Sequence, residues 1–235
     1  MIISDNFLKR ILTTVNQDLI IGAANKKNDL ERTGSWSAEA VEHSRLVAIY
    51  EKNNKNKFAP NFKLFRVFSD INVFPFVSDG ANGKFAMAGN CQEHVGLSLY
   101  YLFFHSNLWS KIEVLSFEEC FDHVFIRITG KDKIQYYFDS WANLIFKDQI
   151  DNHFLEICNI IISGMEATKK LSVDQDEILD IDDNLIKCNH ILESRKKLGV
   201  FIEEEFYPHQ AKIFISQFDK YYETLISETY PKSLK

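Results

Sequence analysis

At 235 residues, with 46% hydrophobic content, 20 Phe and 9 Tyr, the chain can fill one sizeable core, and only 9 Gly and 4 Pro argue against a disordered sequence. A formal net charge of −6 speaks against a general nucleic-acid binder, which would be basic, and no run is long enough to span a membrane, so a soluble protein is expected. Cysteines at 91, 120, 158 and 188 are too few and too scattered for a disulfide framework, and the N-terminus lacks a secretory pattern, which together point to a reducing compartment.

The first 85 or so residues read as helices leading into a strand. Ser37 is placed as the N-cap of a helix running to about Asn53, with Trp36 and Val41 spaced as a hydrophobic staple. Lys52–Lys57 is a polar, basic loop, and Phe62, Leu64, Val67 and Phe68 suggest a strand. Ser78–Lys84, SDGANGK, has the composition of a surface turn. A helix then opens after Asn90. Asn90-x-x-Glu93 has capping-box spacing, and Val95, Leu97, Leu99, Leu102, Phe103 and Phe104 leave little polar face, which marks a central buried helix. Lys111–Leu115, His123–Ile128 and Lys133–Phe138 alternate as strands. From about Phe146 the pattern is helical, interrupted by the acidic stretch Asp174–Asp183. A last helix follows Pro208, with Phe214, Phe218, Tyr222 and Leu225 at helical spacing.

Cys91, His123 and Asp139 supply the three parts of thiol nucleophilic catalysis: a sulfur that attacks, an imidazole that takes and returns its proton, and an acid that orients the imidazole. Two placements tie them together. Cys91 opens the buried helix, where exposed peptide N–H groups and the positive helix end favour a thiolate and suit an oxyanion forming beside it. With Gly130-Lys131-Asp132 as a hairpin loop, His123 faces Asp139 directly, with Cβ atoms about 5 Å apart on one sheet face. Singly, each residue has an ordinary structural reading; jointly the placements favour catalysis. His94, one turn along from Cys91, is a rival base without an evident orienting acid.

GNCQEHVGLSLYYLF, DHVFIRI and YYFDSWAN together resemble the Cys–His–Asp core of papain-like and transglutaminase-like enzymes. Asp139-Ser140-Trp141 is similar to the Asn-Ser-Trp segment of papain-type proteases, which implies that Trp141 covers the His123–Asp139 pair. The 32-residue step from Cys91 to His123 is shorter than in papains and resembles the compact transglutaminase core and the bacterial effector thiol proteases and glutamine deamidases built on it. Asn90 and Glu93 resemble the Asn-Cys-Gly-Glu motif of such effectors, with Gln92 in place of the glycine. The resemblance spans about Ala88–Asn143. It implies an α+β, papain-like fold, with the Cys91 helix on a small antiparallel sheet and further helices flanking it. A single catalytic domain over 1–235 is expected, with its core at about 60–145 and helical parts at 1–59 and 146–235.

The expected reaction is amide hydrolysis through a thioester at Cys91, foremost by a thiol protease acting on protein substrates. The alternatives are a glutamine deamidase or transglutaminase, or a non-catalytic binding module on the same fold. The Cys91 N–H and a side chain from Asn82 or Asn90 would hold the oxyanion. The Asn/Lys/Ile/Phe-rich composition fits an AT-rich bacterial genome, and with it delivery into a host cell without a cleavable signal peptide. No cofactor or metal is expected: Asp174–Asp183 lacks the Gly and closing Glu of a calcium loop, Cys188-x-His190 has no second ligand pair, and Gly80, Gly83 and Gly89 form no phosphate loop.

Overall fold

The computed structural model describes residues 2–34, 36–42, 74–117, 123–148 and 200–229. Helix α1 (Asp5–Asp18) begins where the Ser4 hydroxyl accepts from the Phe7 N–H, and it turns Phe7, Leu8, Ile11 and Val15 into the core. After it come α2 (Lys27–Thr33) and a helical segment at 36–42. That segment already includes Trp36, ahead of the predicted Ser37 cap. Ser37 is buried, with its N–H donating to Thr33 Oγ1, and Trp36 is exposed instead of stapled to Val41. The rest of that predicted helix, the 52–57 loop and the 62–68 strand lie outside the described residues.

The predicted turn at Ser78–Lys84 is a helix, α3 (Phe74–Ala86). Its glycines serve close packing. A Cβ on Gly80 would sit 2.5 Å from the Gly96 carbonyl carbon, and one on Gly96 would sit 2.2 Å from the Phe76 carbonyl oxygen. Gly96 belongs to α4 (Cys91–Phe103), so the two backbones touch where side chains would hold them apart. Helix α4 is buried along nearly its whole length, as its apolar circumference predicts.

Strands β1 (Trp109–Phe117), β2 (Val124–Gly130), β3 (Gln135–Asp139), β4 (Leu144–Asp148) and β5 (Val200–Phe206) form one antiparallel sheet in the order β4-β3-β2-β1-β5. The chain is therefore α+β. Two strands correct the expected helical C-terminal part. Leu144–Asp148 pairs with β3, and Val200–Phe206 lies against β1 at the sheet edge. Of the β5 glutamates that suggest a helix, Glu205 is placed by charge: Lys111 Nζ lies 2.7 Å from Glu113 and 3.2 Å from Glu205, which oppose each other across β1 and β5. Glu113 also takes Arg127 from its β2 partner position, with Nε at 2.7 Å.

The last helix, α5 (Ala211–Thr229), follows the 3-10 turn Pro208–Gln210 as predicted and buries Phe214, Phe218 and Leu225. No helix among the described residues is long and apolar enough to cross a membrane.

The β2–β3 register differs from the predicted hairpin. Ile126 opposes Phe138 and Ile128 opposes Tyr136, so the turn is centred one residue later and the pairing slides by two. The loop runs through Lys131–Ile134, where Lys133 holds φ 68° and Asp132 Oδ1 accepts from the Ile134 N–H. Continued by one step, the ladder sets Asp139 opposite Phe125. His123 precedes β2 and becomes the diagonal neighbour of Asp139. A slide by two preserves facing, so His123 and Asp139 still meet.

Candidate active site

Cys91 is the first residue of α4, and the helix head is anchored from both sides. Glu93 Oε2 accepts the Asn90 N–H at 2.9 Å, which is the Glu limb of the capping box. The Asn90 side-chain oxygen accepts the Ala24 N–H at 2.9 Å. The loop after α1 runs alongside, with Gly22 bridging Ala88 in parallel and the Gly89 N–H donating to the Gly22 carbonyl. Gly22 holds φ 100°, and a Cβ there would collide with Asp29, whose Oδ2 accepts from the Ala23 N–H.

The predicted triad residues come together. His123 Nε2 donates to Asp139 Oδ2 at 2.6 Å, and both side chains are buried. The Cys91 thiol, 8% exposed, hydrogen-bonds to the His123 side chain. With Nε2 bound to the carboxylate, Nδ1 is the nitrogen that remains to exchange a proton with sulfur. The second Asp139 oxygen accepts from the Ala142 N–H at 2.9 Å, so the turn after β3 fixes the acid. Burial opposes charge on both partners, yet the pairing wins. The His123 imidazole is held above its ordinary value by Asp139 and by the Cys91 sulfur. Asp139 is held below its own by His123 and the Ala142 N–H.

A pH dependence follows from these directions. The raised imidazole contributes stability that is complete below an unfolded value near 6.5 and is lost as pH climbs through the folded value. The lowered carboxyl contributes stability that is complete above about 3.9 and is lost as pH falls through its folded value. The stability gap between the wild type and Asp139→Asn should therefore be widest between about pH 4 and 6.5 and shrink on either side. Urea denaturation across pH checks it, and a gap that grows steadily toward pH 9 would contradict the paired arrangement.

Trp141 packs against His123 with ring centroids 5.1 Å apart, and its indole N–H donates to Asn25 Oδ1 at 3.0 Å. His94 is buried on α4 with its Nδ1 3.3 Å from Ser140 Oγ. Ser140 Oγ lies 2.9 Å from Ser98 Oγ, and the Ser98 hydroxyl donates to the His94 carbonyl at 2.7 Å. One proton per hydroxyl then runs the chain from His94 Nδ1–H to Ser140, to Ser98, and back to the helix backbone. Burial first, and Lys26 second, hold His94 near 3, so the ring is neutral at pH 7. His94 therefore ties the Asp139–Trp141 turn to the cysteine helix, while His123 is the imidazole bonded to a carboxylate.

The supporting residues divide. Asn90 and Glu93 build the helix head, where the positive end of the helix favours an anion. Asn82 lies on α3 with its side-chain oxygen accepting from the Tyr221 hydroxyl of α5 at 3.3 Å, a contact with the last helix. Asn25 and Lys26 escape sequence reasoning because an Asn-Lys-Lys run reads as a solvated loop. The parallel bridge to Ala88, the Ala24 N–H on Asn90 and the Trp141 indole on Asn25 bring them to the site.

Asp174–Asp183, Cys188 and His190 lie outside the described residues. No family model matches this chain, and no curated protein matches it.

Proposed function

We infer that the chain is a cysteine-nucleophile amide hydrolase of papain-like, transglutaminase-core type, foremost a thiol protease acting on proteins. The observation that carries this reading is the buried Cys91–His123–Asp139 relay, with the sulfur at a helix head. In this mechanism sulfur adds to an amide carbonyl as its proton passes to His123. The oxyanion forms against the first N–H groups of α4. Imidazolium then protonates the leaving nitrogen, the C–N bond breaks, and a Cys91 thioester remains. His123 next takes a proton from water, whose oxygen attacks the thioester and releases the acid and the free thiol.

The same relay serves side-chain deamidation when the leaving group is ammonia, and transglutamination when an amine replaces water. Incubation with a mixed peptide-amide library tests the reading and sorts its outcomes. New amino termini mean proteolysis and ammonia means deamidation. Neither product, at full folding, would leave the binding-module alternative.

Trp141 separates chemistry from packing. Trp141→Ala should cost about 3–5 kcal/mol of stability as a large-to-small core change. It should also slow the chemical step, because water then reaches the His123–Asp139 hydrogen bond. Thermal stability measured beside single-turnover rate checks both. A destabilised variant with normal chemistry in its folded fraction would remove the shielding role.

A further inference from the structure

Lys26 is a cation beside this site. It is half-buried at the start of α2, with its ammonium 5.5 Å from the centroid of the Trp141 ring that packs on His123. Among the described residues no carboxylate lies within ion-pair distance of it. The two acids it senses are committed elsewhere. Asp29 accepts from the Ala23 N–H and pairs with Arg32 at 3.3 Å, and Asp139 holds His123 and the Ala142 N–H. Burial pulls the Lys26 ammonium below its usual value, with Asp29 and Asp139 opposing, so this charge sits in a partly desolvated place with no direct ion pair among the described residues. An arriving anion would offset that desolvation and gain a charge-assisted hydrogen bond. In a chain of net charge −6 such a spot is a local exception.

We propose that Lys26, seated on Trp141 at the edge of the relay, is a specificity-determining residue that receives a substrate carboxylate next to the reacting amide. This rests on the hydrolase reading above and narrows its substrate class to amides flanked by a carboxylate. Trp141 then serves two neighbours, the imidazole and the cation.

Iodoacetate and iodoacetamide form a size-matched probe pair that differs in charge. In both cases the Cys91 sulfur forms a C–S bond and iodide leaves, but only the first reagent carries a carboxylate. Alkylation is read on the Cys91 peptide by mass spectrometry, and the ratio of the two rates cancels general effects on thiol reactivity. The His123 imidazolium also favours the anion, so the variants isolate the lysine. Lys26→Met and Lys26→Gln should each lower the iodoacetate-to-iodoacetamide ratio roughly tenfold. Lys26→Arg should keep it and Lys26→Glu should push it lower still. Using two neutral variants, each checked by circular dichroism, guards against one failing to fold.

In turnover, acetylated and amidated peptides with Asp or Glu beside the amide should outpace their Asn or Gln counterparts. A free C-terminus on the Asn/Gln set tells chain ends from side chains as the carboxylate source. A ratio that does not move in Lys26→Met and Lys26→Gln overturns this proposal alone. Iodoacetamide labelling of Cys91 no faster than that of glutathione at neutral pH overturns the nucleophile, and this proposal with it.

Discussion

Cys91→Ala is expected to lower turnover of a responsive peptide amide by about 10,000-fold or more, to the background level, without unfolding the protein. In the proposed mechanism the sulfur is the atom that bonds to substrate, and a methyl group at the helix head leaves the capping contacts of Asn90 and Glu93 in place. His123→Ala should be nearly as severe, because it removes both the proton acceptor for the thiol and the donor for the leaving nitrogen. Asp139→Ala should retain more, losing about 100- to 10,000-fold, since it takes away orientation and the charge that holds the imidazolium while sparing the nucleophile.

His94→Ala should lose less than His123→Ala, its effect coming through a loosened Ser140–Ser98 connection. Rates normalised to folded protein, with far-UV circular dichroism on each variant, provide the check. An inactive His94→Ala beside an active His123→Ala would reverse the assignment, and turnover by purified Cys91→Ala at the wild-type rate would end it.

Gly96→Ala is expected to be among the most destabilising single-methyl changes in the chain. Its new Cβ would fall 2.2 Å from the Phe76 carbonyl oxygen and 2.7 Å from the Gly80 nitrogen. These are backbone atoms of a helix and cannot rotate aside, so relief requires α3 and α4 to separate along their buried contact. Overpacking a core costs about 1–3 kcal/mol when side chains can yield, and this site belongs at or above the top of that range. Because α4 also carries Cys91, activity should fall with the folded fraction.

Gly80→Ala faces the same gap from the other side, with the Gly96 carbonyl carbon at 2.5 Å. The double variant should therefore cost less than the sum of the two, since helices already parted have room for both methyls. Gln92→Ala, at an exposed position on α4, is the control and should stay within about 0.5 kcal/mol. Urea denaturation gives all four values. A Gly96→Ala protein as stable as Gln92→Ala would contradict the close helix contact.

The residues of the relay could be read from the linear sequence because their signals are local. An asparagine-to-glutamate capping spacing ahead of an apolar helix marks where Cys91 sits, and two-residue alternation in the following strands puts His123 and Asp139 on one side for any turn that shifts the ladder by an even number of residues. The predicted turn was centred one residue early, yet the pair survived: moving a hairpin centre by one residue shifts its ladder by two, and side-chain facing repeats every two.

The failures have a different origin. Gly80 and Gly83 sit in a Ser-Asp-Gly-Ala-Asn-Gly run whose composition is that of a turn, and only the close approach of α4, by its backbone at Gly80 and by the Glu93 side chain at Gly83, explains glycine in a helix. Strand β5 carries three consecutive glutamates that suit a helix; its place at the sheet edge, with Lys111 shared between Glu113 and Glu205, is a long-range matter. Asn25, Lys26, Ser98 and Ser140 acquire meaning only where distant segments meet: the loop after α1 bridging Ala88, and the turn after β3 touching the cysteine helix.

Local pattern was enough to locate Cys91 at a helix head and to put His123 and Asp139 on one face of a hairpin, because cap spacing and strand alternation are short-range and periodic. How closely the helices pack, which imidazole holds the carboxylate, and which cation stands beside Trp141 are tertiary outcomes. Those depend on contacts between segments tens of residues apart, whose geometry no local pattern encodes.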